Sequence, residues 1–335
     1  MSNSRNRHQI LQLTNLVKRE GQNGWGVVLS ALKPVLKTDK VLHQNSVLLD
    51  SFLESSFVTG IPGTETLKSP PYNQPWIGFA HNPPGIPEWH EYDSSPQEII
   101  KLESWKTSLA YCRGIVTLSQ YLADWYAANV PGVAVTTLKH PTATPQKLFN
   151  LEAYQTADCP KIVQVGWWLR RLHSIYELPI DPMNKAILEP TGSKHMHNFQ
   201  QALSREVAEL GYAVDTSQAQ TLSFLTNDDY EDLLSKTVVF THLYDSAANN
   251  TIVECMARNT PILVNALPSV IEYLGPEYPL YFSDLEEAAE KASNLDLINQ
   301  AWQYLKNLPK DDLDCEFFYR SFVNSDLYKT LLANH

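Results

Sequence analysis

The sequence contains few cysteines, and they lie far apart. The four are Cys112, Cys159, Cys255 and Cys315, and no two of them form a Cys-x-x-Cys pair. A zinc site built on cysteine needs closely spaced ligand pairs, so we expect no metal site of this kind. Cys112 and Cys255 stand in apolar helical patterns, where cysteine behaves as a small apolar side chain. This cysteine usage fits a reducing environment and predicts a cytoplasmic protein.

Long apolar runs and an excess of positive charge are also missing. No apolar run reaches the length of a membrane span. The first nine residues, MSNSRNRHQ, are polar and lack the apolar core of a secretory signal. The net charge of −11 and the isoelectric point of about 5.4 argue against nucleic acid as the main partner. The first glycine-bearing loop, residues 15–26, is not Gly-x-Gly-x-x-Gly, so we expect no dinucleotide cofactor.

What the chain does have is a regular series of short apolar runs and helical patterns. Its 335 residues, 43% of them hydrophobic, suit two α/β domains with parallel sheets. The strands are predicted at 8–13, 41–49, 76–80, 114–118, 133–138, 161–165, 184–189, 222–225, 236–241 and 262–264. The helices are predicted at 27–36, 96–112, 119–129, 197–210, 227–236, 251–259, 270–274, 284–292 and 295–307, with a helical region at 314–332. The Pro- and Gly-rich residues 59–75 are predicted to be loop.

Residues 241–275 contain the clearest functional pattern. A polar turn follows the strand KTVVFT and includes Asp245 and Ser246, and Asn249 or Asn250 can cap the next helix. The start of a helix presents free N–H groups and partial positive charge, which suits a phosphate. Glu254 lies one turn into this helix, where a carboxylate can accept hydrogen bonds from sugar hydroxyls. The pattern therefore indicates a nucleotide-sugar pocket, or an ordinary βαβ unit whose glutamate complements the helix dipole.

Two arginines follow another strand end. The segment is Gly166-Trp167-Trp168-Leu169-Arg170-Arg171-Leu172-His173. The guanidinium group can bind phosphate oxygens in a bidentate manner, so this pair is a candidate clamp for a diphosphate. The alternative is a solvated pair on the surface.

The first half of the chain offers its own candidates. Gly24 and Gly26 lie between a predicted strand and helix, where glycine lets a ligand approach the backbone, or where the chain is simply a flexible connection. His81 directly follows the strand WIGFA and precedes Asn82-Pro83-Pro84, so it can act as an acid, a base or a hydrogen-bond partner of a hydroxyl. The loop PEWHEY, residues 87–92, is predicted to be anchored by a buried Trp89, or to contact a sugar acceptor.

The stretch from Glu254 onward resembles the donor-binding segment of retaining GT-B glycosyltransferases. That family has a Glu-x7-Glu motif, then small residues, a proline-led strand and a further glutamate. The matching residues here are Glu254-Cys255-Met256-Ala257, Thr260-Pro261-Ile262-Leu263-Val264 and Glu272. Ser246 stands where the first glutamate would be, and Ala247-Ala248-Asn249 replaces the family's Gly-Phe-Gly.

Two further segments carry the resemblance. CRGIVTLSQYLADWY, residues 112–126, is similar to the amino-terminal domain of the family, and His140-Pro141 follows its last strand as it does there. Residues 166–173 occupy the position of the family's Gly-Arg…Lys diphosphate element. Trp167 and His173 stand near the places of its Arg and Lys, so Arg170 or Arg171 would compensate from a shifted position.

The resemblance implies a GT-B fold, with two Rossmann-like domains whose parallel sheets face across a cleft. The acceptor domain would span 1–145, the nucleotide-sugar domain 158–313, and a last helix, 314–335, would pack back on the first domain. It implies an enzyme that transfers a sugar from a nucleotide-diphosphate sugar to a glycan, lipid-linked or other hydroxyl acceptor, with retention and without a metal. Such an enzyme would serve polysaccharide or glycan biosynthesis.

The resemblance also assigns roles to residues. The implied catalytic residues are His81, Arg170 and Arg171. The implied donor-binding residues are Gly24, Gly26, Gly166, Thr226, Asp245, Ser246, Asn249, Asn250, Thr251 and Glu254, with residues 224–226 (Phe224 to Thr226) near the nucleotide base. Two alternatives stay open, the second of them because the first glutamate is missing and the Gly-Arg…Lys element is imperfect. One is a nucleotide-sugar epimerase of the same fold, and the other is a catalytically silent binding subunit.

Overall fold

The chain is described by a computed structural model that covers residues 9–17, 24–37, 46–59, 64–158, 161–190, 192–223 and 225–333. Cys159, Phe224 and most of the predicted strand 41–49 lie outside these residues. Contacts divide the described chain into two compact units. The first unit contains the residues up to Gly85, Glu91–Ala143 and those from Asp311 onward, and the second contains Ile86–His90 and Thr144–Lys310.

Thirteen strands form the described sheets. In chain order they are Leu11–Leu13 (β1), Asn15–Val17 (β2), Val47–Asp50 (β3), Thr64–Thr66 (β4), Trp76–Ala80 (β5), Cys112–Thr117 (β6), Val135–Thr137 (β7), Ile162–Gln164 (β8), Lys185–Leu188 (β9), Gln220–Leu222 (β10), Val238–Thr241 (β11), Ile262–Asn265 (β12) and Tyr281–Phe282 (β13).

Fourteen α-helices connect and follow them in the described residues. They are Trp25–Leu32 (α1), Pro96–Ile99 (α2), Glu103–Leu109 (α3), Gln120–Asn129 (α4), Leu151–Thr156 (α5), Ser174–Glu177 (α6), Ser193–Leu210 (α7), Asn227–Ser235 (α8), Asn250–Arg258 (α9), Pro268–Leu274 (α10), Leu285–Ala292 (α11), Leu295–Asn307 (α12), Cys315–Asn324 (α13) and Asp326–Ala333 (α14). None of these helices combines the length and the apolar character that crossing a bilayer requires.

The first unit is built on a five-stranded parallel sheet in the order β1-β3-β5-β6-β7. The central strand β5 is buried along its whole length, as expected for a strand covered on both faces. Helices α13 and α14 belong to this unit: the rings of Phe318 and Phe322 pack on Phe79 of β5, with centroids 6.4 and 6.3 Å apart. A separate antiparallel pair, β2 and β4, lies in the same unit.

The second unit is built on a six-stranded parallel sheet in the order β10-β9-β8-β11-β12-β13. Counted within this unit, the order is 3-2-1-4-5-6, which is that of nucleotide-binding Rossmann sheets. The strand order reverses between β8 and β11, which lie side by side with Val239 of β11 opposite Val163 of β8. In such sheets ligands bind at the carboxyl ends of the strands at this point of reversal.

Several predicted elements differ from the structure. The predicted helix 96–112 is two helices, α2 and α3, since Leu102 between them is extended, and Cys112, predicted to be helical, begins strand β6. The break allows Ile99 and Trp105, both almost fully buried, to reach the core, although six residues of continuous helix would turn them to different faces. The predicted strand 222–225 lies earlier, at β10, and β4 lies inside the predicted loop 59–75 because its edge pairs with β2.

Candidate functional site

The candidate site of the second unit lies at the reversal between β8 and β11. The loop after β8 contains Gly166, Arg170 and Arg171, and the loop after β11 leads through residues 242–249 into α9. The two loops are joined by backbone hydrogen bonds from Arg171 N–H to the His242 carbonyl (2.7 Å) and from Tyr244 N–H to the Leu169 carbonyl (3.0 Å). The sequence-predicted arginines and the helix start therefore belong to one site.

Asn249, rather than Asn250, caps helix α9. Its side-chain Oδ1 accepts from the backbone N–H groups of Thr251 (3.0 Å) and Ile252 (3.4 Å). Asn249 is buried, whereas Asn250 is the first helical residue and is exposed. The amide of Asn249 thereby fixes the first turn of the helix, as Asn does at many N-caps.

The guanidinium of Arg170 lies at this helix start. Its Nη2 donates to Asn249 Oδ1 (3.1 Å) and to Thr251 Oγ1 (3.0 Å), and its Nη1 donates to the Trp168 carbonyl (2.6 Å). Gly166 makes room for it: the backbone there has φ of +80°, and a Cβ would lie 2.8 Å from Arg170 Nη2. The positive φ favours glycine at this place, and the missing Cβ lets the guanidinium lie directly against the backbone.

The site is positively charged for two reasons. First, Arg170 is protonated at neutral pH: burial lowers its pKa, but only to about 10, which is still far above neutrality. Second, the charge lies at the positive end of the α9 dipole, where an anion, and not a cation, is favoured. Within the described residues, nothing accepts from the buried Nε of Arg170 or Arg171. An incoming anion would complement this charge.

Glu254 lies one turn into α9, as predicted. It is buried, and its Oε2 accepts a hydrogen bond of 2.7 Å from the hydroxyl of Tyr230 on α8. Burial raises the pKa of Glu254, while the Tyr230 hydroxyl and the charges of Arg258 and Arg170 act to lower it. Arg258 of the same helix, itself buried, forms an ion pair with the partly exposed Glu231 of α8. This pairing of α8 with α9 holds the Glu254 side chain in a fixed position, and Tyr230 was not predicted from the sequence.

Arg171 is held differently from Arg170. Its guanidinium lies over the ring of Tyr244, 4.4 Å from the centroid. The Tyr244 hydroxyl donates to Oε1 of Glu206 (2.6 Å), a buried residue of α7. Glu206 also accepts from the backbone N–H groups of Leu172 (3.1 Å) and His173 (2.8 Å). Sequence reasoning missed Glu206, although a glutamate on the buried side of α7 with Phe199 was a signal that could have found it.

The remaining predicted donor residues hold turns together. Asp245 Oδ1 accepts from the N–H of Ser246 (2.7 Å), and the Ser246 carbonyl accepts from Ser269 Oγ (2.5 Å). Thr226 is the N-cap of α8 and forms a reciprocal capping box with Asp229. The structure therefore places Asp245 and Ser246 in the loop that leads to α9, and Thr226 at an exposed helix start.

The segment Ile86–His90 belongs to the second unit, although the residues on both sides of it belong to the first. The indole of Trp89 lies edge-on to the ring of Tyr244, with centroids 5.4 Å apart, and His90 lies edge-on to Trp168 at 6.1 Å. Trp89 is thus in contact with the loop after β11, but the prediction that it is buried is wrong: it is partly exposed, whereas the neighbouring His90 is buried.

The candidate site of the first unit surrounds His81, directly after β5. The imidazole lies edge-on to the rings of Trp25 and Phe52, each with a centroid distance of 4.3 Å. Its Nε2 is 3.1 Å from the Ser51 carbonyl. Because a carbonyl only accepts, Nε2 carries the proton and Nδ1 is an acceptor in the neutral ring. Burial lowers the pKa of His81 to about 3, so the ring is neutral at physiological pH.

A buried carboxylate fixes the backbone at His81. Oε1 of Glu54 accepts from the N–H groups of His81 and Asn82, both at 2.7 Å. Burial raises the pKa of Glu54 to about 7. Gly24, with φ of +67°, precedes α1, and Gly26 lies in its first turn beside Trp25. The structure therefore brings this helix start next to His81 through Trp25, and Glu54 is a residue that the sequence did not indicate.

Comparison with solved structures gives the fold. Sucrose-phosphate synthase from Thermosynechococcus elongatus is similar over 79% of this chain and 69% of its own, with a TM-score of 0.57 and 14% identity. S. aureus TarM, in a complex with Fondaparinux, alpha-GlcNAc-glycerol and UDP, matches 91% of this chain and 58% of its own (TM-score 0.54, 11% identity). A UDP-forming alpha,alpha-trehalose-phosphate synthase from Burkholderia xenovorans matches 92% of this chain and 78% of its own (TM-score 0.51, 13% identity).

These neighbours have the GT-B fold, and the prediction of an α/β GT-B fold with two Rossmann-like units is confirmed. No protein-family model matches the sequence, and no curated protein is similar enough in sequence to count as a match. In the described residues, no group of three or more His, Cys, Asp or Glu side chains is arranged to hold a metal ion. The roles assigned to individual residues remain predictions.

Proposed function

We propose that this chain is a glycosyltransferase that moves a sugar from a nucleotide-diphosphate sugar to a hydroxyl acceptor. The observation that carries the proposal is the partly buried guanidinium of Arg170 at the start of α9, beside Gly166 and at the reversal point of a Rossmann sheet. Asn249 already caps the first N–H groups of α9, so a phosphate would be favoured here by the helix dipole, the positive charge of Arg170 and the Nε donors of the two arginines, which have no acceptor among the described residues.

The donor would bind in the second unit, with its diphosphate at Arg170 and Arg171. Glu254, next to the helix start, would accept hydrogen bonds from the ribose hydroxyls and exchange its present bond with Tyr230 for them, or share it. Two of the similar enzymes are linked to uridine nucleotides: the TarM structure contains UDP, and the trehalose-phosphate synthase is UDP-forming. UDP is therefore the first nucleotide to test.

In the reaction, the acceptor oxygen bonds to the anomeric carbon, the bond from that carbon to the diphosphate breaks, and the hydroxyl proton of the acceptor passes to the departing diphosphate oxygen. The bonding electron pair leaves on the diphosphate, so negative charge develops where the arginines and the α9 start can stabilise it. Because the two arginines and the positive end of the α9 dipole supply positive charge at this place, we propose a metal-independent transfer with retention of configuration. His81, neutral and with Nδ1 as an acceptor, would bind a hydroxyl of the acceptor or of the sugar.

A titration calorimetry panel of UDP, ADP, GDP and uridine tests the donor site directly. We expect one nucleoside diphosphate to bind at least tenfold more tightly than its nucleoside, because the phosphates carry the charge that Arg170 and Arg171 complement. Binding of none of these nucleotides would contradict the proposal and favour a silent binding subunit.

Glu254→Ala tests the ribose contact. Removing the carboxylate deletes hydrogen bonds to a charged acceptor that are worth about 2 kcal/mol, so we expect affinity for the diphosphate to fall by roughly 30-fold. The variant should also lose any preference for UDP over 2′-deoxy-UDP. Glu290→Ala, at an exposed position of α11, is the matched control and should bind as the wild type does.

The reaction itself is tested with the donor sugar and a panel of hydroxyl acceptors. We expect product only when an acceptor is present, an unchanged anomeric configuration by NMR, and full activity in EDTA. Rapid conversion of the donor to an epimer without acceptor would instead identify an epimerase. Inversion, or loss of activity in EDTA, would overturn the retaining or metal-independent part of the proposal while leaving the donor site in place.

A further inference from the structure

Arg171 is held by an aromatic ring instead of a carboxylate. Its guanidinium carbon lies 4.4 Å from the centroid of the Tyr244 ring, and its Nε is buried with no acceptor among the described residues. A cation over the face of an aromatic ring is stabilised, yet it keeps its hydrogen-bond donors for another partner. A carboxylate in the same place would neutralise the charge that an anionic ligand needs.

Tyr244 is in turn oriented by Glu206. The phenol donates to Glu206 Oε1 at 2.6 Å, and the carboxylate is almost fully buried, with 1% of the residue exposed. The same carboxylate accepts from the N–H groups of Leu172 and His173, which directly follow Arg171. One side chain therefore fixes both the ring under the guanidinium and the backbone that carries it.

A third contact comes from Trp89, whose indole lies edge-on to the Tyr244 ring. The ring is therefore restrained by Glu206 at its hydroxyl and by Trp89 at its carbon atoms. A buried carboxylate is costly unless its oxygens are satisfied, and here both oxygens accept hydrogen bonds from the elements that surround Arg171. Simple packing of an apolar ring would not require this carboxylate.

We propose that Tyr244 and Glu206 are positioning residues that set the geometry of Arg171 toward the second phosphate of a nucleoside diphosphate. Arg170, fixed by Asn249 and Thr251, holds its place without this pair. The inference rests on the proposed function, since it concerns the donor of that same site. It assigns the discrimination between a nucleoside diphosphate and a monophosphate to Arg171 and its two supports.

The experiment measures the affinities of UDP and UMP for the full chain and its variants by calorimetry. Tyr244→Leu removes the ring, and we expect it to lower the affinity for UDP by about tenfold and the affinity for UMP by less than twofold. Tyr244→Phe keeps the ring but not the bond to Glu206, and Glu206→Gln keeps an acceptor but not the charge. Both variants should lower the affinity for UDP by about threefold, and they should lower the ratio of the UDP affinity to the UMP affinity.

Tyr304→Phe is the matched control. Tyr304 lies on α12, and its hydroxyl donates to the Leu274 carbonyl (2.7 Å). Tyr304→Phe therefore removes a hydrogen-bonded tyrosine hydroxyl from the same unit, as Tyr244→Phe does, but at another place. We expect its UDP to UMP ratio to equal that of the wild type. Thermal melting of every variant identifies any that fail to fold, and Tyr244→Phe preserves the ring volume.

The outcomes separate this inference from the proposed function. A wild type that binds UDP at least tenfold more tightly than UMP, with the ratio reduced in the Tyr244 and Glu206 variants, supports the inference. If the variants lose the same factor of affinity for UDP and for UMP, or lose none, Tyr244 and Glu206 serve only the fold. That result would overturn the inference and leave the proposed donor site in place. A wild type that binds neither nucleotide would overturn the proposed function and the inference with it.

Discussion

The sites of the two units both lie at strand ends, and the loss of hydration there affects their charged groups differently. It lowers the pKa of His81 to about 3 and that of Arg170 to about 10. The histidine loses its charge at neutral pH, because its ordinary pKa is close to 6.5, whereas the arginine keeps its charge because its ordinary pKa is far above neutrality. The first site is therefore neutral and lined by aromatic rings, and the second is cationic.

This difference corresponds to two kinds of ligand. A neutral ring with an acceptor nitrogen, packed against Trp25 and Phe52, suits a hydroxyl group. A partly buried guanidinium at a helix start suits a phosphate. The glutamates near the two sites also have different partners. Glu54 accepts hydrogen bonds from the backbone at the neutral site, whereas Glu254 lies beside the charge of Arg170 at the cationic site.

The largest expected effect concerns the ionisation of Glu54. Its pKa is about 7 in the folded chain, against an ordinary value of 4.5, so between these values the folded state holds a proton that the unfolded state has released. The free energy of unfolding therefore falls as pH rises through this window, by up to about 1.4 kcal/mol per pH unit. Glu54→Gln cannot ionise, so its stability relative to the wild type should increase from pH 4.5 to 7 and then level off.

Urea denaturation of both proteins at several pH values measures this difference. The histidines are common to both proteins, so their titration cancels in the comparison. A constant difference across the window would show that Glu54 does not carry a proton in the folded first unit.

Arg170→Met tests the cationic site and is expected to have the next largest effect. The substitution keeps an unbranched side chain but removes the charge and the phosphate donors, which together are worth about 2 kcal/mol. We expect affinity for UDP to fall by roughly 30-fold while affinity for uridine stays the same. Arg320→Met, at the exposed end of a surface ion pair on α13, is the control. An equal loss for UDP and uridine would contradict an anion-binding role.

Gly166→Ala alters the same site by displacing its charge. A Cβ would lie 2.8 Å from Arg170 Nη2, and the backbone has φ of +80°. We expect about a tenfold loss of UDP affinity, corresponding to about 1.4 kcal/mol. Gly211→Ala places the same strain at φ of +73° with nothing within 4 Å of its Cβ, so it should lower stability but leave UDP binding unchanged. Equal binding by both variants would show that Arg170 tolerates the displacement.

The smallest expected effect is the absence of a titration at His81. Because its pKa is near 3, the NMR signals of the His81 ring should keep their neutral positions between pH 5 and 8. A free imidazole changes charge within this range. A midpoint near 6.5 for His81 would remove the contrast between the neutral and the cationic site.

Much of the fold could be predicted because it follows from local patterns. The apolar runs of β5, β8, β11 and β12 and the amphipathic pattern of α9 are properties of neighbouring residues. The break between α2 and α3 could not be predicted in this way, since it depends on where Ile99 and Trp105 find the core. The antiparallel pairing of β4 depends likewise on a partner strand far away in the chain.

The candidate site was predicted only in part for the same reason. Arg170, Asn249 and Glu254 stand in patterns with a recognisable chemistry, and the structure places them around one helix start. Glu206 and Glu54 stand in no such pattern. The partners of Glu206 lie 33 to 38 residues away along the chain, and those of Glu54 lie 27 to 28 residues away. The choice of Asn249 over Asn250 as the cap also needed the observed burial of each side chain.

The sequence by itself determined the alternation of strands and helices, the polar strand ends and the acidic net charge, because these depend on composition and on the spacing of near neighbours. Only the tertiary structure decided which arginine lies at the helix start and which lies on a tyrosine ring, and that His81 is neutral. Burial and distant partners set both the position and the protonation of these side chains, and neither can be read from the order of residues alone.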